Sequence, residues 1–264
     1  MSAPFFSVLM LTYNSSWDKT RQTLYSILIQ KFADFEIVIA DDGSQDNNFS
    51  KIEEYFATNH FTNYTLVANE TNQGIVKNFD SGLVLCKGKY IKPISPGDFL
   101  YDENTLASVY DEIKDGDAAV YFGNAVYYSN TGGNIHIYDD NANPMDLTPY
   151  LKKDYKTIKK NYLVGMDRIL GASVLYRSDK FKYYFHQMLK IIKYAEDCSI
   201  GFMIAHDEKI DYLSTKGVIW YEYSSGISTN GNSKWGRLID ADYRNMLFLL
   251  VEVLMALTVK LLIK

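Results

Sequence analysis

The stretch FEIVIADDGS, Phe35 to Ser44, decides how this chain folds. A nearly unbroken apolar run of strand length, without the alternation of a half-exposed strand, reads as a strand covered on both faces. It ends in Asp41-Asp42-Gly43-Ser44, a turn in which Asp or Ser can cap the next helix. Upstream, Phe5 to Leu11 (FFSVLML) is a second such run. Between the two, Thr20, Leu24, Ile27 and Leu28 fall at i, i+4, i+7 and i+8, which predicts an amphipathic helix from about Asp18 to Gln30.

Downstream, Phe49, Ile52 and Phe56 predict a second helix and Tyr64 to Ala68 a third strand. Ile75, Phe79, Gly82 and Leu83 predict a helix after the Asn72-Gln73-Gly74 turn, and Tyr90 to Ser95 a fourth strand. The order βαβαβαβ is that of an α/β chain with a doubly wound, mostly parallel sheet flanked by helices. Ligands of such sheets sit outside the carboxyl ends of the strands, where the strand order reverses. That rule selects three loops: Thr12-Tyr13-Asn14, Asp41-Asp42-Gly43-Ser44 and Ser95-Pro96-Gly97-Asp98.

A helix near Glu103 to Lys114 and a strand Ala118 to Tyr127 follow, and then the character changes. Residues 128 to 165 hold a Gly-Gly turn, the acidic NIHIYDDNANP segment and a Lys-rich stretch with weaker periodicity, read as the start of a smaller lobe. Gly171 to Arg177 reads as a strand, and Tyr184 to Tyr194 and Cys198 to Ala205 as helices. Met246 to Ile263 is apolar around most of its circumference. Its length barely crosses a bilayer, and Glu252 and Lys260 make crossing costly, which predicts a helix on the membrane surface, on the body, or against a second copy. The expected division is 1–123, 124–240 and the terminal helix 241–264.

With 264 residues, 47% of them hydrophobic, the chain can bury a full core, so a disordered or fibrous protein is excluded. A net charge of −5 without any long Lys or Arg run excludes a general affinity for nucleic acid. Cys86 and Cys198 fit no CxxC pattern and read as buried thiols in a reducing compartment. The start MSAPFFSVLML lacks the basic region and apolar length of a signal peptide, which predicts a cytoplasmic location. His60, His136, His186 and His206 show no metal-ligand spacing. The many tyrosines after residue 120 suit a core and suit a sugar equally.

Four motifs together carry a resemblance: SVLMLTYN, QKFADFEIVIADDGSQDN, NQGIVKNFDSGLVLCKGKYI and the acidic pair in YAEDCSIGFMIAH. In this order, over residues 5 to 227, the chain resembles the family 2 glycosyltransferases with the GT-A fold, a Rossmann-like sheet with a smaller acceptor lobe. The resemblance implies an inverting enzyme of bacterial surface-polysaccharide (O-antigen or capsule) type. It would move a sugar from a nucleotide-sugar donor, a UDP-hexose above all, to a hydroxyl of a glycan or lipid-diphosphate-linked acceptor. An acceptor of that kind implies a cytoplasmic protein, peripheral at the inner face of the cell membrane.

The same resemblance assigns the base and ribose of the donor to Thr12, Tyr13, Asn14, Asp41 and Asp42. Gly74, Lys77 and Asn78 fall where the family presents groups toward the donor; a solvated helix face for Lys77 and helix packing for Asn78 are the competing readings. Pro96, Gly97 and Asp98 line the phosphates, with Asp98 as the ligand of Mn²⁺ or Mg²⁺. The motif departs from the family here, since Ser95 and Gly97 stand where acids are common. The acidic pair implies Asp197 as the general base, with Glu196 orienting the acceptor; either acid could instead cap the following helix. The Gly- and Ser-rich run Trp220 to Arg237 suggests a closing loop with Trp220, Tyr223 and Trp235 in it. A nucleotidyltransferase would carry a Gly-rich basic loop after the first strand, which is absent here, and a non-catalytic scaffold of the same fold is the other alternative.

Overall fold

The computed structural model describes residues 3–138, 144–223 and 233–262, the side chains of 233 and 252–262 excepted. The two apolar runs lie side by side: β1 (Phe6–Thr12) and β2 (Phe35–Asp41) are buried almost throughout and pair in parallel, from Phe6 against Phe35 to Thr12 against Asp41. Beyond them lie β3 (Tyr64–Ala68), paired with β2, and β4 (Tyr90–Ile94), paired with β1, both parallel. Strand order therefore reverses between β1 and β4, the switch point where a crevice opens.

Helices α1 (Trp17–Leu28), α2 (Phe49–Thr58) and α3 (Ile75–Leu83) make the crossovers. Alternation along the strands splits the core into two layers. Val8, Met10, Ile37 and Ile39 pack with Leu24, Ile27, Ile52 and Phe56 on one face. Leu9, Val38 and Ala40 pack on the other with Val76 and Phe79, and with residues of α7 (Ser178–Met188), α8 (Cys198–Ala205) and α9 (Ser233–Leu262).

Later segments complete the sheet. β6 (Val120–Phe122), β9 (Val174–Arg177) and β10 (Ile210–Tyr212) extend it past β4, with β9 antiparallel to β4 and β6. A second sheet of four strands holds β5 (Phe99–Leu100), β11 (Ile219–Glu222), β7 (Ala125–Thr131) and β8 (Asn134–Tyr138), in that order. Helix α4 (Thr105–Ile113) precedes β6, and α5 (Thr148–Leu151) and α6 (Tyr155–Leu163) follow β8.

The α/β class and the mostly parallel sheet stand as the sequence reads, while four elements differ. The strand expected from Ala118 to Tyr127 breaks after Phe122, because the chain leaves the large sheet for the second one. At that exit a side chain on Gly123 would come within 2.5 Å of Val218. The helix expected over Tyr184 to Tyr194 is α7 instead, since Phe181, Tyr184, Phe185 and Met188 supply its buried face. The terminal helix begins at Ser233, well before Met246, and residues 171–173 form a 3₁₀ turn rather than strand. The acidic stretch at 139–143 and the Gly- and Ser-rich loop at 224–232 lie outside the described residues. Among the described residues no helix is long and apolar enough to cross a membrane.

Candidate active site

The ends of β1 and β2 form one side of the crevice. Thr12 Oγ1 donates to Asp41 Oδ2 at 2.8 Å, and Ser44 closes on the same carboxylate through its N–H (2.8 Å) and hydroxyl (2.6 Å). Asp41 thus holds its own turn. Asp42 reaches the next loop, accepting the Gln73 and Gly74 N–H groups at 2.8 Å each and the Asn69 amide at 3.0 Å. Both carboxylates are buried and organise the loops on either side of the crevice.

Tyr13 projects beside them and is 50% exposed. Asn14, in the left-handed region with φ 47°, is fastened by its N–H to Ser44 Oγ at 2.7 Å. Asn78 is buried on α3 and donates to the Ala40 and Thr12 carbonyls at 3.0 and 3.4 Å, so it ties the two strand ends together. Lys77 is exposed on the same helix, and Gly74 precedes it with φ +90°.

At the exit of β4, Ser95 is exposed and Pro96 half-buried, whereas Gly97 and Asp98 turn inward. Gly97 sits at φ +107°, its N–H on Thr23 Oγ1 at 3.0 Å and its carbonyl on the Tyr128 hydroxyl. Asp98 is 6% exposed, and its Oδ1 accepts the Glu222 N–H at 2.9 Å. The Ser95 backbone N–H is a further hydrogen-bond donor to the Asp98 carboxylate. Burial pushes Asp98 up to about 7.

Two residues beside Asp98 carry no signal in the sequence. Lys92, wholly buried, donates to the Pro93 and Ala172 carbonyls at 2.6 Å each; burial draws it down to about 7 against the opposing pull of Asp98. Glu222 brings a second buried carboxylate and an ion pair with Lys19 at 3.5 Å. Among the described residues no group of three or more His, Cys, Asp or Glu could hold a metal. The buried Asp98 carboxylate, with Glu222 beside it, fits a cation that takes most of its ligands from donor phosphates and water.

The acidic pair ends the loop between α7 and α8. Asp197 occupies the N-cap of α8 without giving its side chain to the helix. Its carboxylate lies against Gly171, where an added Cβ would come within 3.3 Å of Asp197 Cβ and 3.4 Å of Oδ2. Burial raises Asp197 above the usual carboxylate range, partly offset by the Tyr243 hydroxyl and the Arg168 guanidinium. Burial and the neighbouring Asp197 charge push Glu196 up to about 8. One link joins this loop to the donor side: the Lys193 carbonyl sits 3.7 Å from where a Gly74 side chain would begin.

The aromatic residues singled out in the sequence are partly engaged. Trp220 Nε1 donates to the Tyr101 carbonyl at 3.1 Å and Trp235 packs edge-on to Tyr194. Tyr223, 40% exposed, meets Tyr127 and Tyr138. Cys86 and Cys198 are both free and buried.

A doubly wound sheet with carboxylates in the loops after β2 and β4, and an acidic pair at the start of α8, defines the class of the fold. The chain belongs to glycosyl transferase family 2, whose model matches residues 7–192. It is similar to the glycosyltransferase GlyG of Streptococcus pneumoniae serotype 4, with 28% identity over 112 residues, 42% of this chain and 36% of that one. It is also similar to a PGL/p-HBAD biosynthesis glycosyltransferase of Mycobacterium bovis (strain BCG / Pasteur 1173P2), with 33% identity over 109 residues, 41% of each chain. The match thus spans well under half of either relative. Among solved structures, S. aureus TarS 1–349 in complex with UDP-GlcNAc superposes with a TM-score of 0.61 at 20% identity, covering 92% of this chain and 66% of that one. Its complex with UDP gives 0.59 at 20% identity, over 92% and 65%. These likenesses carry the GT-A fold. Glu196 and Asp197 lie just beyond the segment matched to the family.

Proposed function

We propose that this chain is an inverting glycosyltransferase that moves a hexose from a UDP-sugar to a hydroxyl of a glycan acceptor. The observation that carries this reading is the meeting of Gly74, fixed by Asp42, with the loop that delivers Glu196 and Asp197. In this reading the donor loops and the acidic pair, both acids raised by burial, serve one site. The structures of TarS in complex with UDP and with UDP-GlcNAc support the choice of nucleotide.

In this reading Thr12, Tyr13, Asn14, Asp41 and Asp42 shape the site for base and ribose. Lys77, Pro96 and Gly97 border the diphosphate. Asp197 takes the proton of the acceptor hydroxyl as its oxygen attacks the anomeric carbon; the bond to the diphosphate breaks and the sugar inverts. Glu196 orients the acceptor. Family members generally use a divalent cation. Asp98 would be the protein ligand of Mn²⁺ or Mg²⁺, which when bound would supply positive charge against the departing diphosphate.

The acceptor is lipid-diphosphate-linked, as in bacterial surface-polysaccharide synthesis, and the protein works at the inner face of the cell membrane. Support comes from α9, where Leu247, Phe248 and Val251 are exposed and the sequence beyond remains apolar. Calorimetric titration with UDP, GDP and dTDP, with and without MnCl₂, tests the donor assignment. Metal-dependent binding of UDP alone is the expected result. No binding of any nucleotide under either condition sinks the reading in favour of a non-catalytic scaffold.

A further inference from the structure

The loop that ends in Glu196 and Asp197 is held from a distant part of the chain. Three successive amides, those of Lys193, Tyr194 and Ala195, converge on one oxygen, Asp242 Oδ2, at 2.8, 2.6 and 3.0 Å. Asp242 is 3% exposed and belongs to α9. Successive N–H groups aimed at one point form an anion-binding concavity, and a buried carboxylate completes it. An asparagine in its place would keep at most an acceptor oxygen and lose the charge that strengthens all three bonds.

Other contacts run along the same face of the helix. Asn245 Nδ2 donates to the Ile191 carbonyl at 3.0 Å, and Trp235 lies edge-on to Tyr194 with ring centroids 5.8 Å apart. Next to Asp242, the Tyr243 ring lies under the Arg168 guanidinium at 3.3 Å, and its hydroxyl hydrogen-bonds the Asp197 carboxylate. On the opposite side the loop abuts Gly74 through the Lys193 carbonyl. The loop is thus gripped between a donor-side turn and the terminal helix.

We propose that Asp242 is a positioning residue for the transfer reaction, fixing the loop so that Asp197 meets the acceptor hydroxyl at the donor's anomeric carbon. This rests on the reading of Asp197 as the base. It makes α9 part of the active site, although that helix lies beyond the segment matched to the family. A purely structural tie would affect stability; a positioning residue affects turnover in a folded, nucleotide-binding protein.

The test uses the full chain with Asp242→Asn and Asp197→Asn, assayed for UDP release from UDP-glucose and UDP-GlcNAc, for UDP binding by calorimetry, and for amide exchange. Asp242→Asn is expected to bind UDP within about twofold of wild type and to keep the donor KM. Its kcat should fall on the order of 100-fold, as for a misplaced catalytic group. Amides 193–195 should exchange faster, with the rest of the core protected. Where Asp242→Asn does not fold, Asn245→Ala, which loosens the same loop, takes its place. Wild-type kcat in Asp242→Asn beside an inactive Asp197→Asn overturns the positioning role and leaves the base assignment standing. Wild-type kcat in Asp197→Asn overturns both.

Discussion

The backbone N–H of Glu222 donates to Oδ1 of Asp98 at 2.9 Å, joining the exit of β4 to the last strand of the second sheet. Asp98 therefore has two separable duties, a hydrogen bond that any acceptor could meet and a charge that only a carboxylate supplies. Asp98→Asn keeps the first and loses the second; Asp98→Ala loses both. Metal-dependent binding of UDP should vanish in both variants by calorimetry. Only the alanine variant should also lose on the order of 1–3 kcal/mol of stability in urea, the cost of an unsatisfied buried donor. Undiminished Mn²⁺-dependent binding in Asp98→Asn would remove Asp98 from the cation site.

Lys92 gives this region a pH signature. Unfolded, it keeps its proton up to about 10.4, whereas burial makes the folded side chain release it near 7. Between those values the unfolded state binds more protons, so stability rises with pH across the window. Asp98 has the opposite sign: its folded carboxyl keeps a proton up to about 7, while the unfolded one loses it near 3.9, so its contribution falls as pH rises over that range. Urea unfolding of wild type and Lys92→Met from about pH 7 to about pH 10 should show wild type gaining on the order of a few kcal/mol relative to the variant. Parallel curves would mean that Lys92 is not neutralised by burial.

Lys92 also marks the limit of what the sequence discloses. FFSVLML and FEIVIA are legible because central parallel strands are covered on both faces and leave unbroken apolar runs. The acids at their ends are legible because the topology sends them to one edge. Glu222, Lys92, Gly171 and Asp242 are not, since each is brought in by packing between segments far apart in the chain. Lys92 looks like an ordinary lysine in YIKPIS, and Asp242 like any acid on a helix. The break after Phe122 escapes a periodicity reading for the same reason: Val120–Phe122 and Ala125–Thr131 are both strand-like, and only their partners differ.

Gly171 offers a probe of the base that leaves its carboxyl intact. Its φ is not in the left-handed region, so alanine there adds no backbone strain. The new Cβ would sit 3.3 Å from Asp197 Cβ and 3.4 Å from Oδ2, closer than most such contacts, and would displace that side chain by a few tenths of an ångström. Gly171→Ala should melt within about 1 kcal/mol of wild type, as for a conservative substitution without strain. UDP release from a UDP-sugar should nonetheless slow on the order of 10-fold or more. Unchanged turnover would mean that the reacting hydroxyl does not approach Asp197 on this side.

The terminal helix joins two regions that differ in kind. Its first turns hold the loop of the acidic pair through Asp242 and Asn245, while farther along Leu247, Phe248 and Val251 are exposed and the sequence that follows is mostly apolar, interrupted by Glu252 and Lys260. An exposed apolar row is costly in water and gains by meeting lipid or a second copy. Truncation after Val251 removes that row's continuation and keeps Asp242 and Asn245, which hold the acidic loop. The full chain should co-sediment with vesicles of phosphatidylethanolamine and phosphatidylglycerol, and the truncated chain should stay in the supernatant with its UDP affinity unchanged. A full chain that ignores vesicles but sediments as a dimer, and becomes a monomer on truncation, would transfer the row from the membrane to a self-contact. Loss of UDP binding on truncation would show instead that the distal half of α9 is needed to keep its proximal half in place.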